Sequence, residues 1–144
     1  MDQVPTAVQR FLDGLQSGDW TGIEDHLTPD VIQDGSMPGW RLQYQSPQRV
    51  ARALHEEWTG HGTWYITEQH TTVTDMAVVV EFEAVSAPGE GPRLMVRMAN
   101  VFALRNGRIA EHRYYCCGDW DEQTVRRIEA EAPKVEQSEP AHRS

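Results

Sequence analysis

The chain has 144 residues, of which 39% are apolar and 24% charged, and a formal net charge of −9. That length suits one domain with a core of its own. Lys and Arg number 13 against 22 Asp and Glu, a balance that argues against nucleic-acid partners, whose phosphates need a basic surface, and against docking on anionic membranes. No run approaches the ~18 apolar residues of a membrane span. The N-terminus shows no basic segment followed by an apolar run, so no signal peptide is predicted. Cys116 and Cys117 are adjacent and poorly placed for an unstrained disulfide, which predicts free thiols and a cytoplasmic protein.

Val4, Val8, Phe11, Leu12 and Leu15 recur at helical spacing and predict a helix over residues 5–17. Pro5 suits its first position and Gly18 its stop. Asp19 is placed to cap a second short helix, with Ile23 and Leu27 on the buried side and Pro29 at the end. Residues 31–34 read as a short strand and residues 35–45 as a loop carrying Pro38, Gly39, Trp40 and Tyr44. Ser46-Pro47, an N-cap and a first-turn proline, opens a third helix to about residue 58, with Val50, Leu54 and Trp58 on one face. Gly60 and Gly62 close it.

The period then changes to two. Strands are predicted over residues 64–72 and 73–85, a hairpin loop over 87–92, and a strand pair over 94–104 and 108–116. Asn106-Gly107 is a strong tight-turn signal between that pair. Gly118 breaks the last strand, and Asp121 caps a final helix to about residue 132. Residues 134–144 form a polar tail that is expected to be disordered. Helices followed by antiparallel strands give an α+β class, with one domain over residues 1–133.

One face of strand 94–104 reads Leu94, Val96, Met98, Asn100, Phe102 and Leu104. Alternation places Asn100 in the phase of the core. A buried amide without partners costs roughly 1–3 kcal/mol. The next strand offers His112 and Tyr114 in one phase, and Cys116 continues it. Polar groups gathered on an apolar inner face are the sequence signature of a small-molecule pocket.

Three segments carry a family resemblance: Phe11-Leu12-Asp13-Gly14-Leu15-Gln16-Ser17-Gly18-Asp19, Leu27-Thr28-Pro29-Asp30-Val31, and the run from Val101 through Arg105-Asn106-Gly107-Arg108 to Arg113. With the order of elements, they make the chain resemble the nuclear-transport-factor-2-like (NTF2-like) superfamily, and within it the SnoaL-like polyketide cyclases. The resemblance implies a cone-shaped half-barrel, a curved antiparallel sheet packed against three N-terminal helices around a deep pocket. It also exposes departures. Where ketosteroid isomerases carry a helix-one tyrosine, this chain has Phe11. Their strand-end base falls on Gly35, next to Asp34, and their buried acid falls on Asn100. The acid–base aspartate of the epoxide hydrolases and cyclases is replaced by Tyr114. The cyclase pattern keeps a polar group at Asn100 and a histidine at His112.

The candidate catalytic residues are His112, Tyr114 and Asp34. His112, with an ordinary pKa of roughly 6.5, suits proton transfer, the alternative being a structural histidine within the sheet. Tyr114 suits donation to a carbonyl, epoxide or oxyanion, the alternative being an aromatic core residue. Asp34 ends the first strand; its phase opposes that of Val31 and Gln33 unless Gly35 introduces a bulge, and Gln33 is the polar alternative. Asn100 holds a substrate carbonyl or fixes the His112 ring. Met98, Phe11 and Cys116 complete the expected lining. Cys116 lacks the neighbouring base a thiol nucleophile needs. Trp40 and Tyr44 are candidate lid residues at the pocket mouth, ordinary packing being the alternative. Glu81 and Glu83 are expected to face solvent, as are His55, Glu56 and Glu57 on their helix. His26, His55, His61 and His70 show no metal-ligand spacing, so no metal or other cofactor is expected.

The resulting expectation is a cofactor-independent enzyme of secondary metabolism. It would cyclise, isomerise or dehydrate a small hydrophobic oxygenated substrate by acid–base chemistry, as a homodimer through its sheet. On this reading, His112→Ala abolishes turnover and leaves thermal stability nearly intact. A non-catalytic small-molecule-binding or partner module is the alternative. Epoxide hydrolysis or epoxide-opening cyclisation is a third.

Overall fold

Helix α1, Thr6–Ser17, buries Ala7, Val8, Phe11, Leu12 and Leu15, the stripe its spacing predicts. Gly18 ends it in the left-handed region at φ 76° and returns its N–H to the Gly14 carbonyl. Gly14 has a packing reason of its own: a Cβ there would lie 2.4 Å from the Trp20 ring. The computed structural model describes residues 4–58, 63–86 and 93–135. Gly60, His61, Gly62, the predicted loop 87–92 and residues 136–144 lie outside them.

The second short helix forms only as a 3-10 turn, and Asp19 does not cap it. Asp19 accepts the Thr21 N–H at 3.0 Å, and a single 3-10 turn, Ile23–His26, follows Gly22 at φ 80°. Leu27 already belongs to a strand. β1 runs Leu27–Met37, eleven residues rather than four. Pro29 sits where the register against β6 shifts, between Leu27 and Ile32, a place where a missing N–H is tolerated. Pro38-Gly39, with Gly39 at φ 72°, turns the chain into β2, Trp40–Gln45. The predicted loop over residues 35–45 is therefore a hairpin. Gly35 and Ser36 have weak strand preference of their own and are held by pairing on both sides.

Ser46 accepts the Arg49 N–H and opens α2, Pro47–Ala53, as predicted. The helix widens into one π-helical turn, Leu54–Trp58. β3, Trp64–Val73, and β4, Val78–Ser86, are joined through Thr74, whose hydroxyl accepts the Met76 and Ala77 N–H groups. The boundary expected at Val73 thus falls five residues later. β5, Leu94–Arg105, and β6, Arg108–Cys116, are joined by Asn106 and Gly107, both at positive φ, the requirement of a type I′ turn. A short β7, Trp120–Asp121, pairs with the start of β5. Asp121 accepts the Thr124 N–H and caps α3, Glu122–Glu131.

The sheet order is β2-β1-β6-β5-β4-β3. Its pairs are antiparallel except β1–β6, which is parallel, so the sheet is mixed where an antiparallel one was expected. The three helical segments expected ahead of the main strand run are α1, the 3-10 turn Ile23–His26 and α2, and the final helix expected after it is α3, which reaches β5. The class is α+β, a curved unclosed sheet with α1 and α2 packed on its inner face. Phe11, Leu12, Ile23 and Leu54 meet Val80, Phe82, Phe102 and Ile109 in the core.

One surface expectation changes. Glu83, expected in solvent, is 8% exposed. Lys134 reaches its carboxylate at 3.3 Å and that of Glu68 at 2.8 Å, so the start of the tail is tied to β3 and β4. Glu57 is exposed, as expected, and is also one of the residues that line the site.

Candidate functional site: a sealed polar line beneath an open cavity

Register brings the polar inner-face residues together. Gln33 on β1 lies opposite His112 on β6, His112 opposite Phe102 on β5, Tyr114 opposite Asn100, and Asn100 opposite Val80 on β4. Gln33 Nε2 donates to His112 Nδ1 at 3.2 Å, His112 Nε2 donates to Asn100 Oδ1 at 2.9 Å, and Asn100 Nδ2 donates to the Val80 carbonyl at 3.3 Å. An amide nitrogen only donates, so Nδ1 must accept and His112 is the neutral Nε2–H tautomer. The three side chains are between 0% and 2% exposed. Phe102 stacks on the imidazole with centroids 4.6 Å apart and 3° between planes, and Phe11 meets it edge-on at 4.8 Å. Burial pushes the His112 pKa down from 6.5 to about 3. Both ring nitrogens are occupied, and burial disfavours the charged form.

Above this line lies a cavity of about 200 Å³. Its walls include Leu15, Met37, Phe82, Val96 and Met98, the rings of Trp58, Trp64 and Tyr114, the Cys116 thiol, and the carboxylates of Glu57 and Asp119. Trp58 and Tyr114 stand nearly perpendicular, centroids 5.4 Å apart and planes at 76°. Tyr114 is 4% exposed. Burial and the nearby Glu57 charge raise its pKa above the ordinary phenol value, so it stays a neutral hydroxyl. That hydroxyl has no hydrogen-bond partner among the described residues. Gly35 makes its placement possible: a Cβ on Gly35 would lie 2.2 Å from Tyr114 Cζ and 2.4 Å from its oxygen. Burial pushes the Cys116 thiol up to about 11, which keeps it protonated.

Of the residues singled out from the sequence, Tyr114, Met98 and Cys116 line the cavity. Asn100, Gln33, His112 and Phe11 form the layer beneath it. Asp34 lies elsewhere: it faces away from Gln33, pairs with Arg41 at 3.0 Å and accepts from Gln43 at 3.1 Å. Its ion pair holds the carboxyl below its usual range. No bulge at Gly35 turns it inward, because the β1–β6 register runs unbroken from Ile32 to Ser36. Trp40 is 69% exposed on the hairpin and is not a cavity wall. Tyr44 is near the mouth, but as a support rather than a cover: its hydroxyl donates to Glu57 Oε1 at 2.6 Å, and the Arg49 guanidinium lies 3.8 Å from its ring centroid.

Sequence reasoning missed Glu57, Trp58 and Asp119. The π turn places both the exposed Glu57 and the half-buried Trp58 at the cavity. Single π-helical turns inside α-helices are frequently associated with functional sites, and no periodicity rule announces one. Asp119 follows Gly118, whose φ of 89° breaks the strand direction. Among the described residues no cluster of His, Cys, Asp and Glu is placed to hold a metal ion. No described helix is long and apolar enough to cross a membrane.

The sequence profile of the SnoaL-like domain matches residues 8–112. The chain belongs to the SnoaL-like domain family, within the NTF2-like superfamily. An NTF2-like protein from Anabaena variabilis is 23% identical, covers 78% of this chain and 85% of its own, and superposes with a TM-score of 0.67. An LEH-like epoxide hydrolase from M. tuberculosis is 24% identical over 76% of this chain and 79% of its own, with a TM-score of 0.60. A candidate isomerase from Bacillus subtilis is 15% identical over 91% and 94%, with a TM-score of 0.65. These likenesses carry the fold. No curated protein matches the chain in sequence.

Proposed function

We propose that the protein is a cofactor-independent acid–base enzyme that cyclises, isomerises or dehydrates a small hydrophobic oxygenated molecule, in secondary metabolism. The observation that carries this reading is Tyr114, which lines an apolar cavity that Glu57 also lines and whose hydroxyl has no hydrogen-bond partner among the described residues. A neutral phenol in a water-poor wall polarises a carbonyl or holds a developing oxyanion. A carboxylate beside it takes or returns the proton. In this division of labour Glu57 moves the proton, the role the sequence suggested for His112 or Asp34. His112, Asn100 and Gln33 hold the strands that present Tyr114. The epoxide hydrolase and isomerase neighbours lend support at the level of fold. A dry cavity of ~150 Å³ takes up benzene, so about 200 Å³ suits a molecule of one ring.

Proton transfer is testable before the natural substrate is known. One-ring ketones bound in deuterated water should exchange the hydrogens beside the carbonyl faster than in buffer. Glu57→Gln should remove that exchange, and Tyr114→Phe should slow it by tenfold or more. Binding with no exchange by the parent protein would instead favour the non-catalytic module. That second reading has an observation of its own, since the buried histidine is fully satisfied by Gln33 and Asn100. We also propose a cytoplasmic homodimer through the outer sheet face. Tyr65 and Tyr115 are each 54% exposed there and Ile32 37%; sedimentation as a monomer at micromolar concentration would refute it.

A further inference from the structure

Glu57 is exposed and sits in the π turn, where a carboxylate swings freely unless a neighbour holds it. The hold comes from β2 and α2. The Tyr44 hydroxyl donates to Glu57 Oε1 at 2.6 Å, within the short range of hydroxyl–carboxylate bonds. The Arg49 guanidinium lies 3.8 Å from the centroid of the Tyr44 ring, well inside the ~6 Å reach of a cation over an aromatic face. Arg49 is half-buried, and its Nη1 is buried with no hydrogen-bond partner among the described residues. Such a nitrogen carries a cost that calls for a reason. Tyr44 thus stands between a cation at its face and an anion at its hydroxyl. The Glu57 bond and burial raise the Tyr44 pKa above its ordinary value, against the Arg49 charge, so the phenol keeps the proton it donates. A positive charge over the ring draws electron density from the phenol and makes its O–H a stronger donor.

We propose that Arg49 is a positioning residue for the proton transfer. Through the Tyr44 ring it strengthens the bond that fixes Glu57 Oε1 and leaves Oε2 for a ligand in the cavity. This rests on the reading that Glu57 moves the proton. In that step the carboxylate takes a hydrogen from the carbon beside a carbonyl, Tyr114 holds the enolate oxygen, and a solvent proton returns to the same carbon. Arg49 touches none of the reacting atoms. The plain alternative is that Arg49 and Tyr44 only pack α2 against β2.

Exchange of the methyl hydrogens of acetophenone in deuterated water, followed to saturation, separates the two. Arg49→Met keeps an unbranched stem and removes the charge; its rate at saturation should fall about tenfold, with KM rising less than threefold. Arg49→Lys keeps a cation and should recover most of the rate. Tyr44→Phe, which leaves α2 untouched, should show the same loss, and adding Arg49→Met to it should cost nothing further. Without any ligand, the Tyr44 hydroxyl proton should resonate far downfield in the parent and in Arg49→Lys, and move upfield or vanish into water exchange in Arg49→Met. Parent-like exchange by Arg49→Met or by Tyr44→Phe overturns the positioning role while leaving proton transfer by Glu57 in place. So do equal losses in the Met and Lys variants, losses that add in the double variant, or a hydroxyl proton that Arg49→Met does not move. If the parent itself does not exchange acetophenone, the proton-transfer reading fails and the positioning role falls with it.

Discussion

His112 and Tyr114 stand two residues apart on the same face of β6, and their surroundings make them opposites. His112 lies in the closed part of the half-barrel, 2% exposed, stacked on Phe102 and bonded through both nitrogens. Tyr114 is one step nearer the open end. It is as buried by its ring, yet its hydroxyl faces a cavity of about 200 Å³. One alternation period thus separates a group whose bonding is exhausted from one whose bonding is available. A polar residue on an inner face marks the neighbourhood of a site; whether it acts there depends on how many partners its atoms already have.

The widest separation between the two is expected from truncation. Removing the imidazole by His112→Ala leaves Gln33 and Asn100 unpaired in the core and opens a void. The loss should be about 3 kcal/mol or more in urea denaturation. Tyr114→Phe should stay within about 1 kcal/mol of the parent, because no protein hydrogen bond is broken. Near-parent stability of His112→Ala would show that the polar line is not a structural element. The expectation drawn from the sequence, that His112→Ala spares stability, is reversed by the buried line.

Gly35→Ala aims at the open region alone. The added methyl collides with the Tyr114 ring, and displacing that ring should cost about 1–3 kcal/mol and lower ligand affinity. Unchanged ligand affinity in a folded variant would mean that Tyr114 does not contact the ligand.

Acid separates the two regions by titration. In the folded protein His112 stays neutral down to about pH 3, whereas in the unfolded chain it takes a proton below about 6.5. The unfolded state therefore binds more protons in that window, and stability falls as pH drops from about 6.5 toward 3. The slope from this residue is at most about 1.4 kcal/mol per pH unit, and its contribution is fully present above 6.5. His112→Gln should flatten that slope; an unaltered slope would assign the acid sensitivity to other groups. The smallest effect belongs to Tyr44→Phe. It frees Glu57 from one exposed hydrogen bond, so stability should change by less than about 0.5 kcal/mol while ligand affinity weakens measurably. A stability loss much above that would make Tyr44 a packing residue first.

Much of the fold was legible in the chain. The α1 stripe, the Ser46 and Asp121 caps, the Asn106-Gly107 turn and the inner phase of Asn100, His112 and Tyr114 are local patterns, and local patterns survive folding. What was misread was decided between segments. β1 and β2 depend on pairing that residues 35–45 do not advertise, and Pro29 obscured the start of β1. The face of Asp34 followed from its own strand phase, and the unbroken β1–β6 register closed the exception that would have turned it inward.

The site divides the same way. Periodicity by itself determined which face of β5 and β6 points to the core, because side chains alternate with a period of two. Only the tertiary structure decided which of those inward groups are spent. Register set Gln33 and Asn100 on either side of His112 and left Tyr114 over Gly35 with no hydrogen-bond partner among the described residues. The π turn after α2, invisible to a period of 3.6, brought Glu57 and Trp58 to the same cavity. Hydrogen-bond partners drawn from four strands, and a wall drawn from helices and strands, are properties of proximity in space, which no single stretch of sequence encodes.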